Sequence, residues 1–384
     1  MSLQAARRTL ASFDYLMFAA VTALVTIGMV FIHSASAKSG AWGQVTLSVD
    51  YAELQLRWAV ISVGVFFIML VPRYTRLRAG AYAFYVIVLV LLVITLKYGR
   101  GPEHSDVRRW LRVSIGGYHV GDFQASQLMQ VALVLTLAKY LMFRKSPALG
   151  ETLVVFLLAG VPMLLVLKQP DLGTALLFAP LPFVLLYAAG ARLAHLLAFG
   201  GLGATVMPVF WSFVMKPYQK MRFLAWLDPY QYEKSDGWQY IQSRIAVGSG
   251  GLFGRGLGQG TQTSLNYLSE RHTDFIFSVI LEESGFVGGL IIVALYVIII
   301  LCGLGIATRT REPFGRLLVV GVVSLLATQV FVNMGMNIGL MPITGLTLPF
   351  ISYGGSSLLA SFIAVAIMMN VAVHPVMVLS SDGF

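Results

Sequence analysis

Charge is scarce in this chain. Only 11% of its 384 residues are Asp, Glu, Lys or Arg, against about a quarter in an ordinary water-soluble domain. A single cysteine, Cys302, excludes an internal disulfide framework. The histidines (His33, His104, His119, His195, His272 and His374) are dispersed. Neither Cys-x-x-Cys nor His-Glu-x-x-His occurs, so no metal-site signature is present. The glycine spacings of dinucleotide-binding and P-loop motifs are also missing. The basic residues are spread over short loops rather than gathered in a basic domain, which argues against nucleic acid as a partner.

Apolar sequence fills the space: 57% of the residues are hydrophobic. Runs of roughly 20 such residues span a bilayer, and they recur along the whole chain. The reading is an all-α polytopic membrane protein with about ten transmembrane helices, near 13–36, 56–72, 79–97, 125–142, 151–169, 172–190, 193–215, 275–304, 314–335 and 352–374. Residues 1–384 form one membrane domain, with a large extracytoplasmic loop, 216–274, between spans seven and eight. Arg7 and Arg8 precede a first span too long for a cleaved signal peptide.

The net charge of +10 fits the positive-inside bias. With both termini cytoplasmic, the inner loops carry Arg73, Arg76 and Arg78, then Arg144 and Lys145, Arg192, and Arg309, Arg311 and Arg316. Two outer loops break the rule. One holds Lys97, Arg100, Arg108, Arg109 and Arg112; the other holds Lys216, Lys220, Arg222, Lys234, Arg244, Arg255 and Arg271. Two explanations stay open: an anionic ligand such as a pyrophosphate, clamped by arginines, or salt bridges to Asp106, Asp228, Glu233 and Asp236.

Loop 216–274 exceeds the usual connection length, which marks functional or disordered segments. The helical spacing of Tyr240 to Val247 favours an ordered segment lying at the membrane interface. The loop ends in Glu270-Arg271-His272-Thr273-Asp274, and apolar Phe275-Ile276-Phe277 follows directly. Asp274 or Thr273 could cap the next helix. Alternatively, Asp274 is a general base at the membrane surface, its pKa raised by the neighbouring phenylalanines. The glycines of 248–260 make tight turns or cradle a phosphate with backbone N–H groups. Arg57 and Asp171 are expected to pair across two helices, because a charge at membrane depth is costly when alone. Glu282 and Glu283 are intramembrane acids, candidates for function or for helix-to-helix hydrogen bonds. Gly345 to Phe350, leading into Ile351 to Ser357, implies non-helical backbone at membrane depth, expected to line a cavity or form a re-entrant turn.

Taken in order, several motifs make the chain resemble the SEDS family, whose best-known members are RodA and FtsW. They are Arg108-Arg109-Trp110-Leu111, Lys168-Gln169-Pro170-Asp171-Leu172-Gly173-Thr174, Lys216-Pro217-Tyr218-Gln219-Lys220, Leu227-Asp228-Pro229, Tyr240-Ile241-Gln242-Ser243, Ala246 to Gly251, Gly260-Thr261-Gln262, His272 to Phe277, and Ile351 to Ser357. The resemblance covers nearly the whole chain. It implies a ten-span fold in the bacterial inner membrane and polymerisation of lipid II into glycan strands during elongation or division. Asp274 takes the place of the family's essential aspartate and Trp110 that of its conserved tryptophan; Arg57 and Asp171 match its helix-bridging pair. Within the family, Lys216 to Lys220 and Asn333-Met334-Gly335-Met336 look RodA-like, whereas Gly345-Leu346-Thr347 also suits FtsW.

The implied reaction is inverting: Asp274 deprotonates the acceptor sugar hydroxyl of lipid II, and the strand's undecaprenyl pyrophosphate leaves. Arg108, Arg109, Lys216 and Arg222 are candidates to neutralise that pyrophosphate, with or without a divalent cation (Mg or Mn). His272, Gln262, Ser352 and Trp110 join the candidate substrate-binding set. No covalently bound cofactor is implied; the implied partner is a class B penicillin-binding transpeptidase. The rival readings are a lipid II flippase and a non-catalytic scaffold for that transpeptidase. One departure stands out. Many members carry a Glu and a Lys at the start of the fourth span, where this chain has Gln127 and Gln130. Both charges are lost together, so neither is left buried alone.

Overall fold

The computed structural model describes residues 12–39, 45–47, 51–101, 108–115, 118–265 and 267–375. It is a helical bundle. Among the described residues, eight helices are long and apolar enough to cross a membrane: Tyr15–Ser36, Tyr51–Leu70, Tyr74–Tyr98, Leu149–Lys168, Leu193–Phe213, Ile276–Arg309, Pro313–Asn337 and Gly355–Val373. Two shorter apolar helical stretches, Ala125–Leu141 and Leu172–Ala188, accompany them. Each of the ten expected spans falls on one of these. The sixth is broken into Leu172–Phe178 and Pro180–Ala188, because Pro180 has no N–H to continue the ladder.

Burial shows which helices form the centre. Pro313–Asn337 and Gly355–Val373 are mostly covered, whereas Leu193–Phe213 is almost entirely uncovered. The Gly355–Val373 helix packs on Tyr51–Leu70, and Ile276–Arg309 packs on both Pro313–Asn337 and Tyr15–Ser36. The outer helices turn residues such as Val60, Ile68, Leu157 and Leu197 outward. Such a surface suits hydrocarbon, where a helix satisfies its own backbone. The chain is a multi-pass membrane protein.

Two antiparallel hairpins depart from the all-α expectation. Ala37–Ser39 pairs with Val45–Leu47, and Leu111–Ile115 with Tyr118–Phe123, in the register Leu111 to Phe123 and Arg112 to Asp122. The second had a readable signal: Leu111, Val113 and Ile115 alternate with polar residues ahead of Gly116-Gly117.

Loop 216–274 is ordered by three helices, Pro217–Leu227, Asp236–Ser249 and Thr261–Ser264. The second includes the Tyr240 to Val247 stretch expected to be helical. Ala225, Tyr240, Ala246, Leu268, Phe275 and Ile343 form a small core of their own beneath these helices, with Trp226 and Tyr232 against it. Burying a large apolar side chain from water stabilises by roughly 2 kcal/mol. This cluster therefore fastens the loop to Phe275, the residue at which the next helix begins.

Candidate active site at the 270–276 helix start

The turn before the Ile276–Arg309 helix is tied at both ends. The backbone N–H groups of Thr273, Asp274 and Phe275 all donate to the Glu270 carbonyl, at 3.3, 3.0 and 3.1 Å. Phe275 is the capping residue and makes no side-chain cap bond. The Thr273 hydroxyl turns back to the Glu270 carbonyl and carboxylate. Capping, one of the two readings of Asp274, is thus not its role: the helix starts after it, and its carboxylate is left for other work.

Four neighbours hold the turn from the far side. The Asp274 carbonyl accepts from Asn333 Nδ2 at 3.2 Å and Asn337 Nδ2 at 3.0 Å. The Thr273 carbonyl accepts from the Ser352 hydroxyl at 2.6 Å, and the His272 carbonyl from the Tyr353 N–H at 2.9 Å. Ser352 is in turn fixed by the Leu348 N–H and by Gln55, whose amide donates to its carbonyl. The non-helical stretch from Gly345 to Tyr353 is therefore buried and hydrogen-bonded rather than bare. Leu346, Leu348, Phe350 and Ile351 are buried, Gln329 and Asn333 donate to the Thr347 and Leu346 carbonyls, and Tyr296 donates to the Pro349 carbonyl. Gly345 has φ +74°, and a Cβ there would stand 3.5 Å from Asp274 Oδ2. This non-helical stretch thus passes close to the carboxylate.

Asp274 stays partly exposed. Burial of its carboxyl, followed by the nearby Glu270 charge, raises its pKa from 3.8 to about 6; Arg222 and Arg109 pull it down, and Asp171 pushes it up. A carboxylate so placed is a stronger base than a free one yet remains ionised near neutral pH. His272 is shifted below its ordinary value, by burial and then by the Arg271 charge, which keeps it neutral. It stacks on Tyr51 at 4.4 Å between ring centres, with Tyr353 alongside.

Arg109 sits 4.0 Å from Asp171 and donates to the Pro170 carbonyl, and its buried Nε has no partner. Asp171 caps the Leu172–Phe178 helix through the Thr174 N–H and hydroxyl, and accepts from Gln124 at 3.0 Å. The Tyr218 hydroxyl shares the Pro170 carbonyl at 3.2 Å, and Arg222 lies over the Tyr218 ring. The expected Arg57–Asp171 pair is corrected by these contacts. Arg57 is largely exposed and pairs with Glu53 one turn earlier, at 2.5 Å, while the buried Asp171 takes Arg109 as its basic partner.

The other candidates separate from this group. Arg108 is exposed and donates to the Lys97 carbonyl. Trp110, next to Arg109, is partly exposed and pairs its backbone with Arg100. Lys216 is exposed at the start of the Pro217–Leu227 helix, its N–H donating to Gln219. Gln262 belongs to a different construction. The Ile276–Arg309 helix breaks at Gly285, φ +68°. The two hydrogen bonds lost there are replaced by the glycine-rich loop: Arg255 and Gly256 donate to the Glu282 and Glu283 carbonyls, while Phe286 and Val287 donate to Gly251 and Leu252. Two backbone donors of that loop, Arg255 and Gly256, are thus engaged by the helix, which packs the loop tightly against the break. The buried Glu282 carboxylate accepts from the Gln262 N–H at 2.9 Å and from the hydroxyls of Thr261 and Thr263. Glu283 accepts from Ser34 at 2.7 Å. Both intramembrane acids are thereby satisfied locally. Of the proposed acidic partners of the loop's basic residues, Asp228 accepts from the Gln231 N–H, and Asp106 lies outside the described residues.

Asn333 and Asn337 are the site residues that sequence reading missed. Their signal was available: two carboxamides one turn apart near the end of an apolar span, where polar side chains are costly unless partnered.

The fold and this site define a polytopic helical membrane protein with an ionisable carboxylate at one helix mouth and two arginines in its field. The comparisons narrow the class. The family model for FtsW, RodA and SpoVE, described as cell cycle protein, matches residues 14–376. Stage V sporulation protein E of Bacillus subtilis is 38% identical over 373 residues, covering 94% of this chain and 96% of that protein. The peptidoglycan glycosyltransferase MrdB of Escherichia coli K12 is 34% identical over 354 residues, covering 92% and 93%. Among solved structures, a chain of a peptidoglycan synthase complex superposes with TM-score 0.78 at 31% identity, covering 94% of this chain and 97% of that one. Thermus thermophilus RodA gives 0.68 at 29%, covering 94% and 96%. The chain belongs to the FtsW/RodA/SpoVE family.

Proposed function

We propose that this protein is a peptidoglycan glycosyltransferase that polymerises lipid II, with Asp274 as its general base. One observation carries the assignment of the base: a partly exposed carboxylate, held outside its helix and raised to about pKa 6, lies in the field of Arg109 and Arg222. Family membership and relatives named as peptidoglycan glycosyltransferases support the reaction class.

In the reaction, Asp274 removes the proton from the acceptor sugar hydroxyl of lipid II as that oxygen attacks the anomeric carbon of the growing strand. The bond to undecaprenyl pyrophosphate breaks with inversion. Arg109 and Arg222 stabilise the negative charge on the departing pyrophosphate, and charge stabilisation of this kind is usually the largest single catalytic contribution. Arg108, Lys216 and Trp110 complete the substrate surface in this reading, with His272 and Ser352 holding the turn. Mg²⁺ is commonly held by one or two carboxylates together with substrate phosphates. Among the described residues no three His, Cys, Asp or Glu side chains gather to hold a metal. A divalent cation, Mg²⁺ or Mn²⁺, bound with the pyrophosphate would add to the positive charge of Arg109 and Arg222.

In this reading the site faces the extracytoplasmic side of the bacterial inner membrane and both termini are cytoplasmic, an orientation that the basic inner loops support. A class B penicillin-binding transpeptidase is its partner, in keeping with a structural neighbour drawn from a peptidoglycan synthase complex. The RodA-like stretches favour a role in elongation. The test is lipid II polymerisation by purified protein with its cognate transpeptidase and a divalent cation. Glycan from wild type and none from Asp274→Ala is expected. Glycan from both would remove Asp274 as the base, and glycan from neither would favour the flippase or scaffold roles.

A further inference from the structure

We infer that Asn337 is a positioning residue that keeps Asp274 out of the helix that follows it; the inference rests on Asp274 being the base. In an uninterrupted helix the carbonyl of residue i accepts from the N–H of residue i+4. For Asp274 that donor is Ser278. The next pair in the series is regular, since the Val279 N–H donates to the Phe275 carbonyl at 3.2 Å. The Asp274–Ser278 bond is instead replaced by a side chain. Asn337 Nδ2 donates to the Asp274 carbonyl at 3.0 Å, and Asn337 Oδ1 accepts from the Ser278 N–H at 3.1 Å and its hydroxyl at 2.6 Å. One carboxamide is inserted between the two halves of what would have been the first helical hydrogen bond.

The insertion is built to hold. Asn337 is fully buried, and its Nδ2 also donates to the Asn333 carbonyl at 2.8 Å. Ser243, from the loop helix Asp236–Ser249, donates to the Asn337 carbonyl and lies 2.8 Å from the Ser278 hydroxyl. Asn333 makes the second bond to the Asp274 carbonyl but does not bridge to Ser278. The carboxamide suits the bridge, because it donates at one end and accepts at the other. Without it, Ser278 is free to bond Asp274, and the helix would gain its next residue. The carboxylate would then swing towards the helix axis, where the free N–H groups favour its ionised form.

The experiment compares Asn337→Ala with wild type in full-length protein with its cognate transpeptidase, measuring lipid II polymerisation across pH. The expected result is folded protein whose kcat falls by about 100-fold, the loss that a 1 Å misplacement brings, with KM changed little. The acidic limb of its pH profile moves to lower pH, with Glu270, Arg222, Arg109 and Asp171 unchanged around it. Asn333→Ala, which leaves the bridge intact, loses much less. Wild-type kcat and pH profile in folded Asn337→Ala, alongside an inactive Asp274→Ala, would overturn the inference and leave the base assignment standing. Activity in Asp274→Ala would overturn the base assignment itself. Should Asn337→Ala not accumulate, Asn337→Leu, which fills nearly the same space without donor or acceptor, decides by the same kcat and pH readouts.

Discussion

A Cβ on Gly254 would stand 2.1 Å from the carbonyl oxygen of Glu283, nearly thirty residues on. Gly254 also has φ +79°, and its partner across the contact, Gly285, has φ +68° with only 2.3 Å between its own would-be Cβ and the Gly254 nitrogen. The two glycines let loop and broken helix approach backbone to backbone. Gly254→Ala should destabilise by more than the 1–2 kcal/mol of the left-handed conformation alone, because a carbonyl cannot move aside as a flexible side chain can. Gly64→Ala is the control: nothing lies within 4 Å of its would-be Cβ, and its helix should be unharmed or slightly stabilised. Thermal midpoints of the purified proteins in detergent check the contrast. Equal midpoints would mean that the loop can detach without cost.

Asp274 links activity and stability with opposite signs. As the proposed base, Asp274 must be ionised, so polymerisation should rise with pH through about 6 and level off above it. The folded-state pKa lies above the ordinary 3.8, so the folded protein holds this proton more tightly than the unfolded chain. That contribution to stability is complete below pH 3.8 and is lost as pH rises through about 6. The displacement makes the charged form cost roughly 3 kcal/mol in the folded protein. Asp274→Asn should therefore be inactive yet more heat-stable than wild type at pH 7. A melting curve at pH 5 and pH 7 tests this: the gain should shrink at the lower pH, and a gain equal at both would rule out the carboxylate as its source.

The helices and the turn that ends at Asp274 were legible in the sequence for different reasons. Runs near twenty residues have one cheap solution in a bilayer, so every expected span meets a helix. Asp274 was legible through its neighbours in the chain, polar before it and apolar after. What escaped depended on helix rotation and on backbone approach. Arg57 and Asp171 were assigned to the same membrane face, but sidedness says nothing about which way a side chain points around its helix; Arg57 turns to Glu53, and Arg109, from a loop, takes the place beside Asp171. The glycine loop had no visible partner because that partner is bare backbone at a helix break. Asn337 could be noticed as a costly intramembrane amide, but its bridge between Asp274 and Ser278 appears only when two helices are placed together.

Arg57 and Arg109 should respond differently to replacement. The Arg57–Glu53 pair is exposed on one helix surface, an arrangement worth about 0.3–0.5 kcal/mol. Arg57→Ala should leave the thermal midpoint and polymerisation near wild type. Arg109→Ala leaves the buried Asp171 without its cation and removes a positive charge from the field of Asp274. It should lower polymerisation at least tenfold, a loss of about 1.4 kcal/mol in the barrier, and Arg109→Lys should recover only part of it because the fork to the Pro170 carbonyl and Asp171 is gone. Wild-type polymerisation by Arg109→Ala would remove Arg109 from the site.

Gln127 and Gln130 extend the same network inward. Gln130 donates to Gln127 at 3.0 Å, Gln127 lies 3.5 Å from the Gln124 oxygen, and Gln124 donates to Asp171 at 3.0 Å. Three neutral amides, one turn apart, thus lead from a buried helix face to the carboxylate beside Arg109. Gln127→Ala should cost about 1–3 kcal/mol, because it leaves the buried Gln130 amide without its acceptor. Gln127→Glu alone should cost more, since an unpaired carboxylate at a nearly buried position has no cation to meet. Gln127→Glu combined with Gln130→Lys supplies that cation one turn away, and should return the thermal midpoint towards wild type. The coupling in this double-mutant cycle is the measurement: a strongly positive interaction shows that the position accepts either a charge pair or an amide pair but not half of each. Additive losses would mean that the ladder is packed too tightly for ions, and that the neutral pair is required by shape rather than by charge balance.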